Sequence, residues 1–120
     1  MRASNCSHKY RAGCPVRHGL EEDPPAAIRR TIRLIDTMTA EAGVTDSFRL
    51  TAALTDGTRI YAIRRSTDDK PPCLYWGGPS YALTLVSEPL NAELRNWTEV
   101  DPERLVIAEA GNQLRVEALN

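Results

Sequence analysis

The first strong pattern along the chain is helical. Asp23 is a suitable N-cap, the two prolines after it suit a first helical turn, and Gly43 is a suitable C-terminal stop. Between these residues apolar side chains recur at helical spacing, with a basic side opposite. The apolar side is Ile28, Ile32, Leu34, Ile35 and Met38, and the basic side is Arg29, Arg30 and Arg33. We therefore predict one amphipathic helix between Asp23 and Gly43.

From Ser47 onward the hydrophobic period changes to two, which is typical of strands. Asp56-Gly57 suits a two-residue type I′ turn, so "SFRLTAALTDGTRIYAIRRS" is predicted to be a hairpin. In that register Leu50 faces Ile63 and Ala52 faces Tyr61, which makes one face apolar. The other face carries Arg49, Thr51, Thr55, Thr58 and Arg64.

The rest of the chain also reads as strands. A short strand is predicted at 73–76, a second in "YALTLVSEP", and a short helical or irregular piece at 91–97. The last segment is predicted to be a hairpin turning at Gly111-Asn112, with Ile107 facing Val116 and Leu105 facing Ala118. The runs "ALTLV" and "LVIA" are expected to be buried on both faces.

These elements predict an α+β fold with one main helix and about six mostly antiparallel strands. One helix covers only one face of such a sheet. The other face therefore requires a second layer or a partner chain, and we predict homo- or hetero-association through an uncovered sheet face.

Composition and charge argue against several classes of protein. The chain of 120 residues is one domain or part of one, and its net charge of −1 argues against a nucleic-acid role. No apolar run approaches the roughly 18 residues of a membrane helix, and no secretory signal is recognisable. Three cysteines do not form a disulfide framework, which favours the cytoplasm.

The stretch richest in side chains that could bind a metal or act as a nucleophile is "NCSHKYRAGCPVRH". It contains Cys6, His8, Cys14 and His18, which suggest either a zinc site or a cysteine nucleophile with a histidine partner. Cys6-x-His8 leaves one residue between ligands, whereas structural zinc sites usually leave two to four. The favoured interpretation is that residues 1–18 are a basic leader, either disordered or not native to the remainder of the chain, and we assign no metal, cofactor or catalytic residue there.

Other polar groups have structural interpretations. Cys73 fits a half-buried position at the head of a strand. Glu21-Glu22-Asp23 suits a helix N-terminus, and Asp68-Asp69 suits a solvated loop. Trp76-Gly77-Gly78 is interpreted as strand packing followed by a turn.

Residues 19–120 also resemble a known family. The segments "GLEEDPPAAIRRTIRLI", "FRLTAALTDGTRIYAIRRSTDDKPPCLYW" and "LVSEPLNAELRNWTEVDPERLVIAEAGNQLRVEAL" are similar, in this order, to the C-terminal half of a class II glutamine amidotransferase domain. The resemblance implies a partial αββα sandwich of the N-terminal nucleophile hydrolase type. It also implies glutamine or a related amide as substrate, hydrolysed with release of ammonia.

The same resemblance implies a nucleophile that this chain does not present. The family uses a cysteine that becomes the first residue after methionine removal, whereas this chain begins Met1-Arg2. No catalytic residue of the family matches a position here, and Ser87-Glu88 matches a scaffold motif. We therefore expect a truncated, inactive amidotransferase-like chain. A non-catalytic interaction module and a zinc-binding module are the alternatives.

Overall fold

The computed structural model describes residues 19–78, 82–89 and 96–120. The leader containing Cys6, His8, Cys14 and His18 lies outside these residues, so the predicted boundary after residue 18 stays a prediction. The chain divides into two compact units, Met1–Asp46 and Ser47–Asn120. The described elements are α1 (Pro24–Glu41), β1 (Arg49–Thr55), β2 (Ile60–Ser66), β3 (Tyr75–Gly77), β4 (Thr84–Val86), β5 (Trp97–Glu99), β6 (Arg104–Glu109) and β7 (Gln113–Ala118).

The predicted helix is confirmed, with both ends built as its sequence indicates. The Asp23 carboxylate accepts a hydrogen bond from the Ala26 amide at 3.2 Å, which caps the first turn. At the other end Gly43 takes a φ of 69°, one residue beyond the C-cap. Its amide bonds to Ala40, and the next amide bonds to Thr39, which is the Schellman pattern.

The helix buries less of its apolar side than the pattern predicts. Its buried residues are Ala27, Ile28, Thr31 and Ile32. Met38 is 45% exposed, so the apolar side of the helix is less buried in its last turns than in its first ones. Among the described residues, no helix is long and apolar enough to cross a membrane.

The first hairpin forms, but its predicted turn and register are wrong. Leu50 pairs with Arg65 and Ala52 pairs with Ile63, which is a shift of two residues. The loop spans residues 56–59 because the Asp56 carboxylate accepts bonds from the Thr58 and Arg59 amides. A shift of two preserves the alternation of faces, so the residues that lie in β1 and β2 keep their predicted faces. Thr58, predicted to lie on the polar face, lies in the loop instead.

The second hairpin also forms, with a register one residue away from the prediction. Ile107 pairs with Arg115, Leu105 pairs with Glu117, and Val106 pairs with Val116. The loop has three residues, 110–112, and its last two have φ angles of 78° and 57°. A shift of one residue exchanges the faces of β7 relative to β6.

The strands form two sheets, with order β1-β2-β6-β7 in one and β4-β3-β5 in the other. Every ladder between described strands is antiparallel. Trp97 lies in β5, which corrects the predicted helical or irregular piece at that residue, and 91–95 lie outside the described residues. Cys73 and Leu74 precede β3, so that strand is shorter than predicted.

The two sheets pack on one another through a small apolar core. Its fully buried members are Ala62, Leu74, Val100 and Val106. Half-buried side chains from β3, β4 and β7 complete it, namely Trp76, Leu85 and Leu114. The small sheet therefore supplies a second layer on this face.

Burial differs between the two runs that were expected to be buried on both faces. The "LVIA" run of β6 is at most 6% exposed, which confirms the prediction. The "ALTLV" run around β4 is exposed at Ala82 and only half-buried beyond it, so that prediction is wrong. The short three-residue strand explains the difference, because β4 lies at the outer edge of the small sheet.

Candidate functional site

Two consecutive arginines in the second half of β2 form the most unusual polar feature of the described residues. Arg64 and Arg65 are 5% and 7% exposed, although charged side chains are rarely buried without partners. Neighbouring residues of a strand point to opposite faces, so the two guanidinium groups lie on opposite sides of the sheet. Each has its own set of acceptors.

Arg64 lies on the face that carries the small sheet. Its Nε donates to the Pro72 carbonyl at 2.6 Å, and its Nη1 donates to the Val100 carbonyl. Its Nη2 lies 3.0 Å from the Glu99 carboxylate, whose side chain is 52% exposed. One guanidinium thus joins β2 to the segment before β3 and to the end of β5.

Arg65 is held on the opposite face by Glu103. The Arg65 Nη1 atom lies 2.7 Å from one carboxylate oxygen, and the Ser66 amide donates to the other at 3.0 Å. Glu103 takes a φ of 59°, and its backbone bonds both to Arg64 and to Leu119. This left-handed residue therefore anchors the start of β6, the end of β2 and the end of the chain described.

Tyr75 and Glu99 lie at the solvent boundary of the Arg64 contacts. They are cross-strand partners in the small sheet. Burial and then the neighbouring Glu99 carboxylate raise the pKa of the Tyr75 phenol. A hydrogen bond between the phenol and the Cys73 side chain raises it further. A phenol with a raised pKa stays protonated at neutral pH and does not act as a base.

Cys73 is the one thiol among the described residues, and it is exposed rather than half-buried. Its carbonyl accepts a hydrogen bond from the Thr51 hydroxyl at 3.4 Å. Both histidines of the sequence, His8 and His18, lie outside the described residues. The thiol therefore has no histidine base in the part of the chain that the structure describes.

The predicted Asp68-Asp69 loop is more ordered than a solvated acidic pair. Arg49 contacts both Asp68 oxygens through Nε, at 3.2 and 3.1 Å, and donates again through Nη2 at 2.5 Å. The hydrogen bonds from Arg49 and then from the Ser66 hydroxyl hold the pKa of the Asp68 carboxyl well below its usual range. Asp69 is exposed, and it is Asp68 that fixes a turn, through bonds to the Ser66 hydroxyl and the Lys70 amide.

The remaining sequence motifs are structural as far as the described residues show. Ser87 and Glu88 are exposed just after β4, and Trp76 packs in the core. Gly77 is buried, and only glycine fits there because a side chain would meet the Asn96 carbonyl and the Trp97 ring. No group of three or more potential metal ligands occurs in the described ranges.

A shallow depression lies over the second hairpin. Its volume is about 110 Å³, well below the roughly 300–1,000 Å³ of typical ligand pockets. It is lined by Ile107, Glu109, Gln113, Leu114 and Arg115. The described residues thus bring the Arg64 guanidinium close to the Glu99 carboxylate and the Tyr75 phenol, but they contain no nucleophile paired with a base.

The buried arginines escaped the sequence analysis, although a signal was present. An Arg-Arg pair inside the strand "IYAIRRS" must place one arginine on each face, and both faces of a central strand are buried. Their acceptors could not be read from the pattern, because Pro72, Val100 and Glu103 come from distant segments.

Comparisons with known proteins bear on the fold of this chain. No protein-family model matches the sequence, and no curated protein matches it. A solved structure of a glutamine aminotransferase class-II domain protein from Silicibacter pomeroyi is similar, with 32% sequence identity and a TM-score of 0.75. The similarity covers 87% of this chain and 47% of that one, so this chain spans about half the length of the solved relative. The resemblance to class II glutamine amidotransferases is thereby confirmed, and the chain has the α+β fold of part of such a domain.

Proposed function

We propose that this chain is a class II glutamine amidotransferase-like protein that contributes the C-terminal scaffold of the domain and does not hydrolyse glutamine by itself. The observation that carries the proposal is the similarity to a glutamine aminotransferase class-II domain protein over 87% of this chain. The expected family reaction converts glutamine and water to glutamate and ammonia.

The chemistry of the described residues supports the inactive part of the proposal. Amide hydrolysis of this kind needs an activated nucleophile, a base and donors for the oxyanion. Cys73 is a thiol inside the chain, so its nitrogen is a peptide amide rather than a free amine. Its hydrogen-bond partner is the Tyr75 phenol, which stays protonated at neutral pH.

The buried cations also support a scaffold role. Binding of glutamine requires groups that recognise its α-carboxylate, and arginine is the usual choice. Arg64 is already committed to two carbonyls and to Glu99, and Arg65 contacts Glu103. Neither guanidinium is placed to bind a substrate without breaking these contacts.

A glutaminase assay on the purified 120-residue chain tests the proposal. Ammonia release should not exceed the buffer background at saturating glutamine. The control is Cys73→Ser, which should give the same background. Release above background would refute the inactivity, and its loss in Cys73→Ser, Cys6→Ser or Cys14→Ser would identify the nucleophile.

A further inference from the structure

The outer edge of β1 carries backbone groups that can pair with another strand. β1 is the first strand in the order β1-β2-β6-β7, and β2 is its one neighbour among the described strands. Just before this ladder the Thr67 amide donates to the Phe48 carbonyl. Backbone groups alternate between the two sides of an antiparallel strand, so the even-numbered residues of β1 face β2 and the odd-numbered residues face outward.

The outward amides and carbonyls are those of Arg49, Thr51, Ala53 and Thr55, and none of these backbone groups has a hydrogen-bond partner among the described residues. Natural edge strands are usually protected by proline, lysine, a bulge or short length. β1 has none of these over its seven residues. Its one charged side chain, Arg49, lies 2.5 Å from Asp68 of the same copy. The edge is therefore open to a further strand.

Backbone geometry restricts how two copies of this edge can pair. Outward groups must meet outward groups, so an antiparallel pair about a two-fold axis is centred on a residue. A centre at Ala52 pairs the whole of β1 with itself, because Arg49 of each copy then lies opposite Thr55 of the other. A centre at Thr51 pairs only 49–53 with one another, and a centre at Ala53 pairs only 51–55. The length of the strand therefore selects Ala52.

The apolar side chains of β1 match in this register. Leu50 of each copy lies opposite Leu54 of the other, and Ala52 lies opposite its own equivalent. Residues opposite each other in a non-hydrogen-bonded pair have Cα atoms about 4.5 Å apart, which suits the small Ala52 side chain at the axis. The apolar face of the strand thus continues across the junction.

The other face of β1 brings no charges into conflict. Thr51 lies opposite Ala53, and Arg49 lies opposite Thr55, so the two arginines of a pair are not directly opposite each other. The residue types of the strand are therefore nearly symmetric about its centre. This symmetry makes a second copy of the chain the occupant that matches the edge.

We propose that β1 pairs antiparallel with β1 of a second copy in the register centred on Ala52, which joins the two four-stranded sheets across a two-fold axis. Backbone hydrogen bonds and the pairs of Leu50 with Leu54 supply the attraction. One strand pair is a small interface, so we expect a dissociation constant in the micromolar to millimolar range. The inference does not depend on the proposed amide chemistry.

The mass of the wild-type chain tests whether a closed pair forms. Measured by sedimentation velocity under reducing conditions, it should rise with concentration from 13.3 kDa and level off at twice that value. A mass that stays at 13.3 kDa into the millimolar range would overturn the proposal. Growth beyond the dimer without a plateau would overturn it as well, because it would show open-ended association.

A single introduced cysteine tests the register. In a chain carrying Cys6→Ser, Cys14→Ser and Cys73→Ser, Ala52→Cys places two thiols across the axis with Cα atoms about 4.5 Å apart, within the roughly 4.4–6.8 Å span of disulfides. Diamide should therefore convert it to a covalent dimer on non-reducing electrophoresis. Ala53→Cys is the matched control, because its two Cα atoms lie about 8–9 Å apart and should not be bridged. Equal crosslinking of both, crosslinking through Ala53→Cys alone, or none at all would overturn the register.

Proline at the edge tests the role of the outward backbone. Ala53→Pro removes an outward amide but none of the hydrogen bonds between β1 and β2. It should weaken self-association by about tenfold or more while the circular dichroism stays that of wild type. Ala53→Ser keeps the amide and should associate like wild type. Equal association of the two folded variants would show that the edge is not used.

Hydrogen exchange on the wild-type chain, resolved by residue with NMR, tests the edge without any substitution. The outward amides of 49–55 should exchange more slowly as concentration rises, while the amides of 113–118 should not change. Slowing at 113–118 alone, or a rise in mass without slowing in 49–55, would place the interface elsewhere and refute the assignment to β1.

Discussion

Replacing Arg64 by methionine tests whether one buried guanidinium joins the two sheets. Methionine fills a similar volume with an apolar chain but donates no hydrogen bond. The change removes the donors to the Pro72 and Val100 carbonyls and the contact with Glu99. Both carbonyls belong to the segments that enter and leave the small sheet.

The expected cost follows from these contacts. A hydrogen bond from a charged donor contributes about 1.5–3 kcal/mol, so losing the two carbonyl bonds costs about 3–6 kcal/mol. The buried apolar surface of methionine offsets roughly 1–2 kcal/mol of this. We expect Arg64→Met to lower the free energy of unfolding by about 3 kcal/mol, a large share of the roughly 5–15 kcal/mol of an ordinary domain.

Urea unfolding followed by tryptophan fluorescence measures the lowered free energy of unfolding, with both tryptophans in the part of the fold that Arg64 joins. Trp76 packs in the core between the sheets, and Trp97 lies in β5. Glu99→Gln is the matched control, because the amide oxygen still accepts from Arg64 and the side chain is 52% exposed. Loss of the charge alone should cost about 1 kcal/mol or less.

Two results would refute this reasoning. One is an Arg64→Met chain whose stability lies within about 0.5 kcal/mol of wild type, the range of an ordinary surface substitution. The other is a Glu99→Gln chain that loses as much as Arg64→Met, which would mean that the ion pair rather than the carbonyl bonds dominates. If Arg64→Met does not fold, Arg64→Lys should show a smaller loss, because an ammonium keeps the charge but cannot span all three acceptors.

Two further substitutions test the turns and the close approach of strands. Hydrogen bonds from the Arg59 amide and its neighbour lower the pKa of Asp56 to about 2, below its unfolded value of about 3.9. Its contribution to stability is therefore present above about pH 4 and lost as the pH falls toward 2. Asp56→Asn should flatten that part of the stability–pH curve from urea titrations, and an unchanged slope would contradict the assignment. Gly77→Ala, whose Cβ would meet the Asn96 carbonyl, should cost about 3 kcal/mol through overpacking. Gly43→Ala has open space and should cost only about 1–2 kcal/mol for its left-handed φ, so equal losses in thermal unfolding would refute the steric account.

The alternation of residues predicted the faces of the first hairpin but not its register. Hydrophobic periodicity constrains a strand only to within a shift of two, because such a shift returns every side chain to the same face. The deciding contact was local and polar. The Asp56 carboxylate bonds to two backbone amides, which closes a four-residue loop where Asp-Gly suggested a two-residue one.

The burial of β2 was predictable only in part. Tyr61 and Ile63 belong to the predicted apolar face, and both are buried. The burial of Arg64 depends on acceptors that arrive from eight and 36 residues away. Asp101-Pro102 signals a turn before Glu103, which holds Arg65, but nothing in the sequence predicts the left-handed conformation of Glu103, because glutamate rarely adopts it. Such partners follow from the tertiary fold and not from local propensity.

The register of the second hairpin shows why a shift of one residue matters more than a shift of two. Residues 105–108 are apolar at every position, so either register places apolar side chains beside one another, and the pattern does not discriminate. The three-residue loop selects the observed register, in which Val116 pairs with Val106. Val116 thereby lies on the face of the core between the sheets, while Arg115 and Glu117 lie on the opposite face. In the predicted register, Glu117 would instead have lain opposite Val106 and Arg115 opposite Ala108, on the face of the apolar core, where charges are costly to bury.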